Sequence, residues 1–182
     1  MPNAIVIEKT GSPEVMEWKA YDPGTPGPGE ALVRQEAAGV NYIDVYHRTG
    51  LYPLKELPAV IGMEGAGVVE RVGEGVSEVA VGDRVAYAGG PPGAYTEVRR
   101  IPADRLVRLP AGISTELAAG MMLRGMTARY LLHGCYPVTQ GATILLHAAA
   151  GGVGSIVSQW AKHLGAVVIG TAGSPEKVDR AK

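Results

Sequence analysis

The first part of the chain carries its hydrophobic residues in short runs, not at helical spacing. Stretches rich in Val, Ile and Tyr at 4–7, 15–18, 31–37, 67–72, 84–88, 94–98 and 106–109 are bounded by turn signals such as Asp22-Pro23-Gly24 and Gly73-Glu74-Gly75. Each predicts a strand, and many short strands at this spacing predict a barrel or sandwich. One helix is predicted among them, over 42–48.

The pattern changes near residue 112. Ser114-Thr115-Glu116 offers an N-cap with an early acid, and 117–132 has helical composition. The run Ala142-Thr143-Ile144-Leu145-Leu146-His147 has strand length. After a glycine-rich turn, 155–164 predicts a helix closed by Gly165, and Val167-Val168-Ile169 a second strand. Ser174-Pro175-Glu176 then opens another helix, with Ser at the cap and Pro at the first position. Strand, Gly-rich turn, helix and strand make a βαβ unit. Two parallel strands and one crossover helix do not complete a doubly wound sheet. The chain therefore reads as the N-terminal portion of something longer, with domains at 1–112 and 113–182.

Composition narrows the function classes. The 182 residues are 46% hydrophobic and 19% charged, which excludes disorder as the main state. A net charge of -1 argues against a general nucleic-acid or anionic-membrane binder. One cysteine, Cys135, excludes an intrachain disulfide framework and a Cys-rich zinc lobe. The charge-free run 130–161 contains Pro137, Gln140, His147 and Gln159, so a buried strand and helix explain it better than a membrane span. The N-terminus lacks a basic head and a long apolar stretch, so a cytoplasmic location is the expectation.

The turn Ala148-Ala149-Ala150-Gly151-Gly152-Val153-Gly154 carries the first candidate chemistry. Against the G-x-G-x-x-G fingerprint the positions fall on Ala149, Gly151 and Gly154, so the first glycine is missing. Gly151 and Gly152 would let backbone N–H groups approach a pyrophosphate at a helix N-terminus, and Gly154 would let the helix pack on the strand. The alternative is a tight strand-to-helix turn without a ligand. An NAD site would place an acid at the end of the second strand, but here the tip is Thr171-Ala172-Gly173-Ser174, followed by Lys177. A neutral tip with a nearby cation suits a 2′-phosphate, so NADP(H) is favoured. Ser174 also reads as a simple helix cap and Lys177 as a solvated charge.

The segment Gly62-Met63-Glu64-Gly65-Ala66-Gly67-Val68-Val69-Glu70-Arg71-Val72-Gly73-Glu74-Gly75-Val76, followed by Gly82-Asp83-Arg84-Val85, resembles the G-H-E-x-x-G-x-x-x-x-x-G-x-x-V signature of the medium-chain dehydrogenase/reductase superfamily. The turn at 148–154, Asn41-Tyr42-Ile43-Asp44 and Gly50-Leu51-Tyr52-Pro53 resemble its zinc-free quinone oxidoreductase branch. The resemblance covers the whole chain in order. It implies a GroES-like β-barrel domain followed by the start of a Rossmann domain. It also implies that full members run well past residue 182 and that the full-length form is a homodimer.

The departures from the zinc-dependent pattern matter. Asn41 and Met63 stand where those relatives carry Cys and His, and no Cys falls within 120–124. Asn and Met do not make the N/S site that zinc wants, so no metal is expected. Without a Lewis acid, the expected substrates are already electrophilic, a quinone or a conjugated carbonyl. The resemblance points to Asn41, Tyr46 and Tyr52 lining the substrate site and to Thr127 at the nicotinamide. Asn41 and Tyr52 are candidate donors to developing negative charge, Asn41 touching the cofactor as well and Tyr46 lining the substrate. Ala150, Gly151, Gly152, Val153, Gly173, Ser174 and Lys177 complete the cofactor set. A turn-capping Asn, half-buried tyrosines and a mid-helix Thr are the plain alternatives. Glu64 is expected to anchor a turn or pair with an Arg, and His147 to be a satisfied core histidine. Cys135 is expected to be inert, and Arg99, Arg100, Arg105 and Arg108 to form a solvated face. The function so implied is an NADPH-dependent quinone oxidoreductase. The alternatives are an alkenal or enoyl double-bond reductase on the same scaffold and a non-catalytic dinucleotide-binding protein.

Overall fold

The structure, a computed structural model, describes residues Met1–Lys182. By packing, the chain divides into Met1–Leu123 and Arg124–Lys182.

The first unit contains β1 (Asn3–Ile7), β2 (Met16–Ala20), β3 (Glu30–Gly39), α1 (Tyr42–Thr49), β4 (Ala59–Val60), β5 (Glu64–Val72), β6 (Arg84–Ala88), β7 (Val98–Pro102) and β8 (Val107–Arg108). Five strands form an antiparallel sheet in the order β7-β3-β5-β6-β8, and three more form the sheet β2-β1-β4. An isolated bridge joins Ala4 of β1 to Thr96, which precedes β7. Irregularities between Leu32 and Val33 and between Gln35 and Ala37 interrupt β3, and such bulges bend a strand and sharpen its twist. The bend lets one long strand serve the curved wall expected of a barrel. Ala31, Val33, Val69, Val85, Tyr87 and Ile101 fill the interior. With no Phe in the chain, Tyr87 is the largest fully buried side chain.

The strand expected at 94–98 is displaced: regular pairing starts at Val98. Residues before it bond to three neighbouring segments instead. Tyr95 donates to the Ile61 carbonyl and accepts from Ile5, while Glu97 donates to the Asn3 carbonyl and accepts from Gln35. The backbone is satisfied there without a continuous ladder. The strand expected at 106–109 shrinks to two residues because a 3₁₀ turn occupies Ala103–Arg105. β4 is too short to leave a sequence signal.

Helix α2 (Thr115–Arg129) carries the chain from the first unit into the second. The division falls inside it, whereas the sequence places a boundary at 112/113. The early part of α2 belongs with the first unit, because Ala118 and Ala119 are buried against Ala66 and Ala86.

In the second unit the helix widens into a π turn over Tyr130–Cys135. There follow β9 (Thr143–Leu146), α3 (Gly152–His163), β10 (Val167–Gly170) and α4 (Pro175–Ala181). β9 and β10 pair in parallel, Thr143 opposite Val167. Val157 and Ala161 of α3 bury against Ile144, Leu146 and Val168. The alternate positions Leu145, Val167 and Ile169 are exposed on the other face, as the two-residue period of a strand requires. Helix α3 starts at Gly152 rather than at 155, so the turn glycines form its first turn. No helix is long and apolar enough to cross a membrane.

Candidate active site

In the first unit a chain of hydrogen bonds holds Asn41. This residue is the N-cap of α1, and its backbone N–H donates to Asp44 Oδ2 at 2.8 Å. That is the reciprocal half of a capping box. The Tyr95 hydroxyl donates to the same oxygen at 2.7 Å. Burial, and then the neighbouring Asp44, push the Tyr95 phenol far above its usual range, so it stays a donor. His47, one turn on, is buried, and desolvation holds its imidazole below the usual value while Asp44 opposes the shift.

The side chain of Asn41 is fixed from the other end. Its Nδ2 donates to Glu64 Oε2 at 2.7 Å. Glu64 is 0% exposed, and its Oε1 accepts the backbone N–H of Leu123 at 2.7 Å. A carboxylate offers only acceptors, so the nitrogen end of the Asn41 amide must face it. One Nδ2 proton is thereby committed and the second remains. The sequence expectation that Glu64 anchors a turn or pairs with an Arg is not met. It ties the N-cap of α1 to the backbone of α2. Gly39 makes this possible: a Cβ there would overlap both the Ala119 carbonyl and the Glu64 carboxylate.

Tyr46 and Tyr52 come together beside this network, ring centroids 5.2 Å apart in an edge-on arrangement. Tyr52 is 49% exposed, and its backbone N–H donates to the Tyr46 carbonyl. Asn41, Tyr46 and Tyr52 therefore belong to one segment, α1 and the turn after it. Met63 is buried. Its thioether and the committed Asn41 amide do not suit zinc, and no three His, Cys, Asp or Glu side chains converge.

In the second unit the turn expected to hold a diphosphate is built from backbone. Gly151 caps α3 with no side-chain hydrogen bond. The first N–H groups of a helix lack intrahelical partners, and Gly151 has no side chain to cap those of Gly152 and Val153. A Cβ on Gly154 would overlap the Ala148 carbonyl. Ala148 itself has φ 54°, the one non-glycine residue in the left-handed region. Arg124 lies over the helix start, its Nε 2.9 Å from where a Gly152 Cβ would sit. Thr171 at the tip of β10 is tied back on both sides: its N–H donates to the Leu146 carbonyl, and its carbonyl accepts from Ala149. Ser174 caps α4 by accepting the Lys177 N–H at 3.3 Å, and Gly173 beside it has open space around it. Ala150 and Thr127 are partly buried. The bare helix start, its cation and the neutral second tip fit a dinucleotide carrying a 2′-phosphate.

Sequence reasoning missed three contributors. Asp44 was legible in part, since Asn41 and Asp44 stand at capping-box spacing. Tyr95 and Arg124 left no local signal, because each acts on a residue far away along the chain. His147 is exposed rather than buried, its Nδ1 3.1 Å from the Thr171 hydroxyl. Cys135 is exposed. Arg100, Arg105 and Arg108 are solvated as expected, but Arg99 is not.

Residues 27–111 match the model of the alcohol dehydrogenase GroES-like domain. A quinone oxidoreductase of Pseudomonas aeruginosa is 52% identical over all of the chain, which spans 56% of that relative. A 2-haloacrylate reductase of a Burkholderia species is 46% identical, again over all of the chain and 56% of the relative. The crystal structure of Escherichia coli quinone oxidoreductase complexed with NADPH superposes with a TM-score of 0.95 at 46% identity, covering 98% of the chain and 55% of that structure. The chain thus spans little more than half the length of these relatives. With a GroES-like unit running into the opening βαβ of a Rossmann unit, the chain is similar along its whole length to part of these quinone oxidoreductases, and residues 27–111 carry the alcohol dehydrogenase GroES-like domain.

Proposed function

We propose that the protein reduces quinones with NADPH. The observation that carries this reading is the division of labour between an amide donor locked by a buried carboxylate and a helix start stripped of side chains. Gly151, Gly152, Val153 and Ala150 would hold the diphosphate through backbone N–H groups, with Arg124 adding charge. Gly173, Ser174 and Lys177 would receive the 2′-phosphate. Thr127 would sit at the nicotinamide end. Bound there, NADPH would supply a hydride that, with one proton from solvent, turns a quinone into its hydroquinone.

The chain's own residues would stabilise charge and orient the acceptor. The second Nδ2 proton of Asn41 would donate to the quinone oxygen on which negative charge grows. Because Glu64 fixes the amide beforehand, no reorganisation is needed in the transition state. The exposed Tyr52 hydroxyl would donate to the same oxygen or its counterpart. The Tyr46 ring would seat the flat acceptor edge-on. No Lewis acid is required, because a quinone delocalises the incoming charge itself. The full-length protein is proposed to act as a homodimer on small soluble acceptors, without nucleic-acid or membrane partners.

A second reading, reduction of an activated carbon–carbon double bond, is favoured by the 2-haloacrylate reductase among the relatives. A non-catalytic dinucleotide-binding role is the third. Steady-state assays of the full-length protein with a quinone panel and an enal panel separate them. Quinone turnover that falls about a hundredfold in kcat for Asn41→Ala is the expected result. Turnover of enals alone would move the assignment to the second reading, and tight NADPH binding without turnover to the third.

A further inference from the structure

Arg99 departs from the solvated arginines around it. It lies on β7 and is 3% exposed. Its guanidinium stacks 4.2 Å from the centroid of the buried Tyr87 ring, and Nη2 donates to the Pro91 carbonyl. Nη1 is buried and has no hydrogen-bond partner. No carboxylate lies within ion-pairing distance of it, whereas its neighbour Arg100 reaches Glu30 at 3.5 Å. A buried cation without a counter-charge is costly, and one aromatic face and one carbonyl offset only part of that cost.

Arg99 also forms part of the wall of a cavity of about 280 Å³. Lys55, Glu56, Gly93, Thr96 and Arg100 stand in the same wall. Three cations thus face one acid, and Arg100 is already shared with Glu30. Gly93 brings the guanidinium close to this space, since a Cβ there would sit 3.5 Å from Arg99 Nε. The volume lies just below the ~300 Å³ at which pockets for drug-sized ligands begin. It suits a small anion and is too small for a dinucleotide. The cavity lies wholly in the first unit, whereas the glycine turn lies in the second.

We propose that this cavity is a binding site for a small oxyanion of the phosphate or carboxylate type. Arg99 anchors the anion by the charge its guanidinium brings to the wall, and Lys55 and Arg100 add charge at the mouth. A guanidinium with one side already committed still offers a directed N–H to an oxyanion, and such charge-assisted bonds are the strong ones.

The test is calorimetric titration of the full-length protein at low ionic strength with inorganic phosphate and, in a parallel arm, acetate. The titrations are repeated with NADPH at saturation. One-to-one binding with a dissociation constant of about a millimolar is expected, retained when NADPH is bound. Lys55→Ala and Arg100→Ala, both at exposed positions, should weaken it about tenfold together, and Arg99→Gln should abolish it. Binding of phosphate alone assigns the site to phosphoryl groups, and binding of acetate alone assigns it to carboxylates. No saturable binding, binding lost when NADPH is present, or binding unchanged in the Lys55→Ala/Arg100→Ala double variant would each overturn the proposal. The double variant keeps the test decisive should Arg99→Gln fail to fold.

Discussion

The two units place their chemistry in opposite materials. In Met1–Leu123 the candidate site is made of side chains, Asn41, Asp44, Glu64 and Tyr95, each held by another. In Arg124–Lys182 it is made largely of what is absent: Gly151, Gly152 and Gly154 leave the start of α3 bare. The first kind of site is damaged by taking atoms away, the second by adding them. One motif can therefore tolerate a conservative change that would ruin the other.

Gly154→Val should show this most strongly. Its side chain would collide with the Ala148 carbonyl and push α3 off the strand. NADPH affinity is expected to fall about a thousandfold, about 4 kcal/mol, read by fluorescence titration. A variant that binds normally would break the claim that close backbone approach defines the second unit's site. Next comes the opposite experiment. Glu64→Ala strands the Leu123 N–H and the Asn41 amide in a buried place. Denaturant unfolding should show a loss of about 3 kcal/mol. Gln at this position should recover only part of it, because its amide presents one acceptor end where two donors converge.

A smaller effect separates recognition by backbone from recognition by charge. Lys177→Ala should raise the NADPH dissociation constant about fivefold, near the upper end for an exposed ion pair, and leave NADH unchanged. Equal losses for both cofactors would remove the 2′-phosphate from this tip. The smallest expected effect is a dependence on pH. Burial lowers the His47 pKa, so the unfolded chain binds a proton near pH ~6.5 that the folded chain refuses. Stability therefore falls as pH drops below that value. His47→Gln should flatten the decline in Tm between about pH 7 and about pH 5. An unchanged slope would mean that other groups set the acid limit of the first unit.

The parts legible in the sequence were those with local causes. The βαβ unit followed from an apolar run, clustered glycines and a β-branched run, because period and turn chemistry are short-range. Candidate residues Asn41, Tyr46 and Tyr52 were found through motif resemblance, and they share one segment of the fold. The role of Glu64 was not legible, since its partners lie 23 and 59 residues away along the chain. The displacement of the strand expected at 94–98 has the same origin: residues before Val98 divide their bonds among three segments, β1, β3 and the residues after β4, brought together only by folding. Arg99 looked like its neighbours because charge runs reveal nothing of which member turns inward. What it turns toward, the Tyr87 ring, belongs to another strand.

Ala148 carries a consequence for how the glycine turn works. A methyl-bearing residue at φ 54° is held there against its own preference. Glycine would relax that cost and would also multiply the shapes open to the loop. By keeping the methyl, the turn stays stiff before anything arrives, and a diphosphate would meet a finished receptor without spending its binding energy on freezing a wandering one.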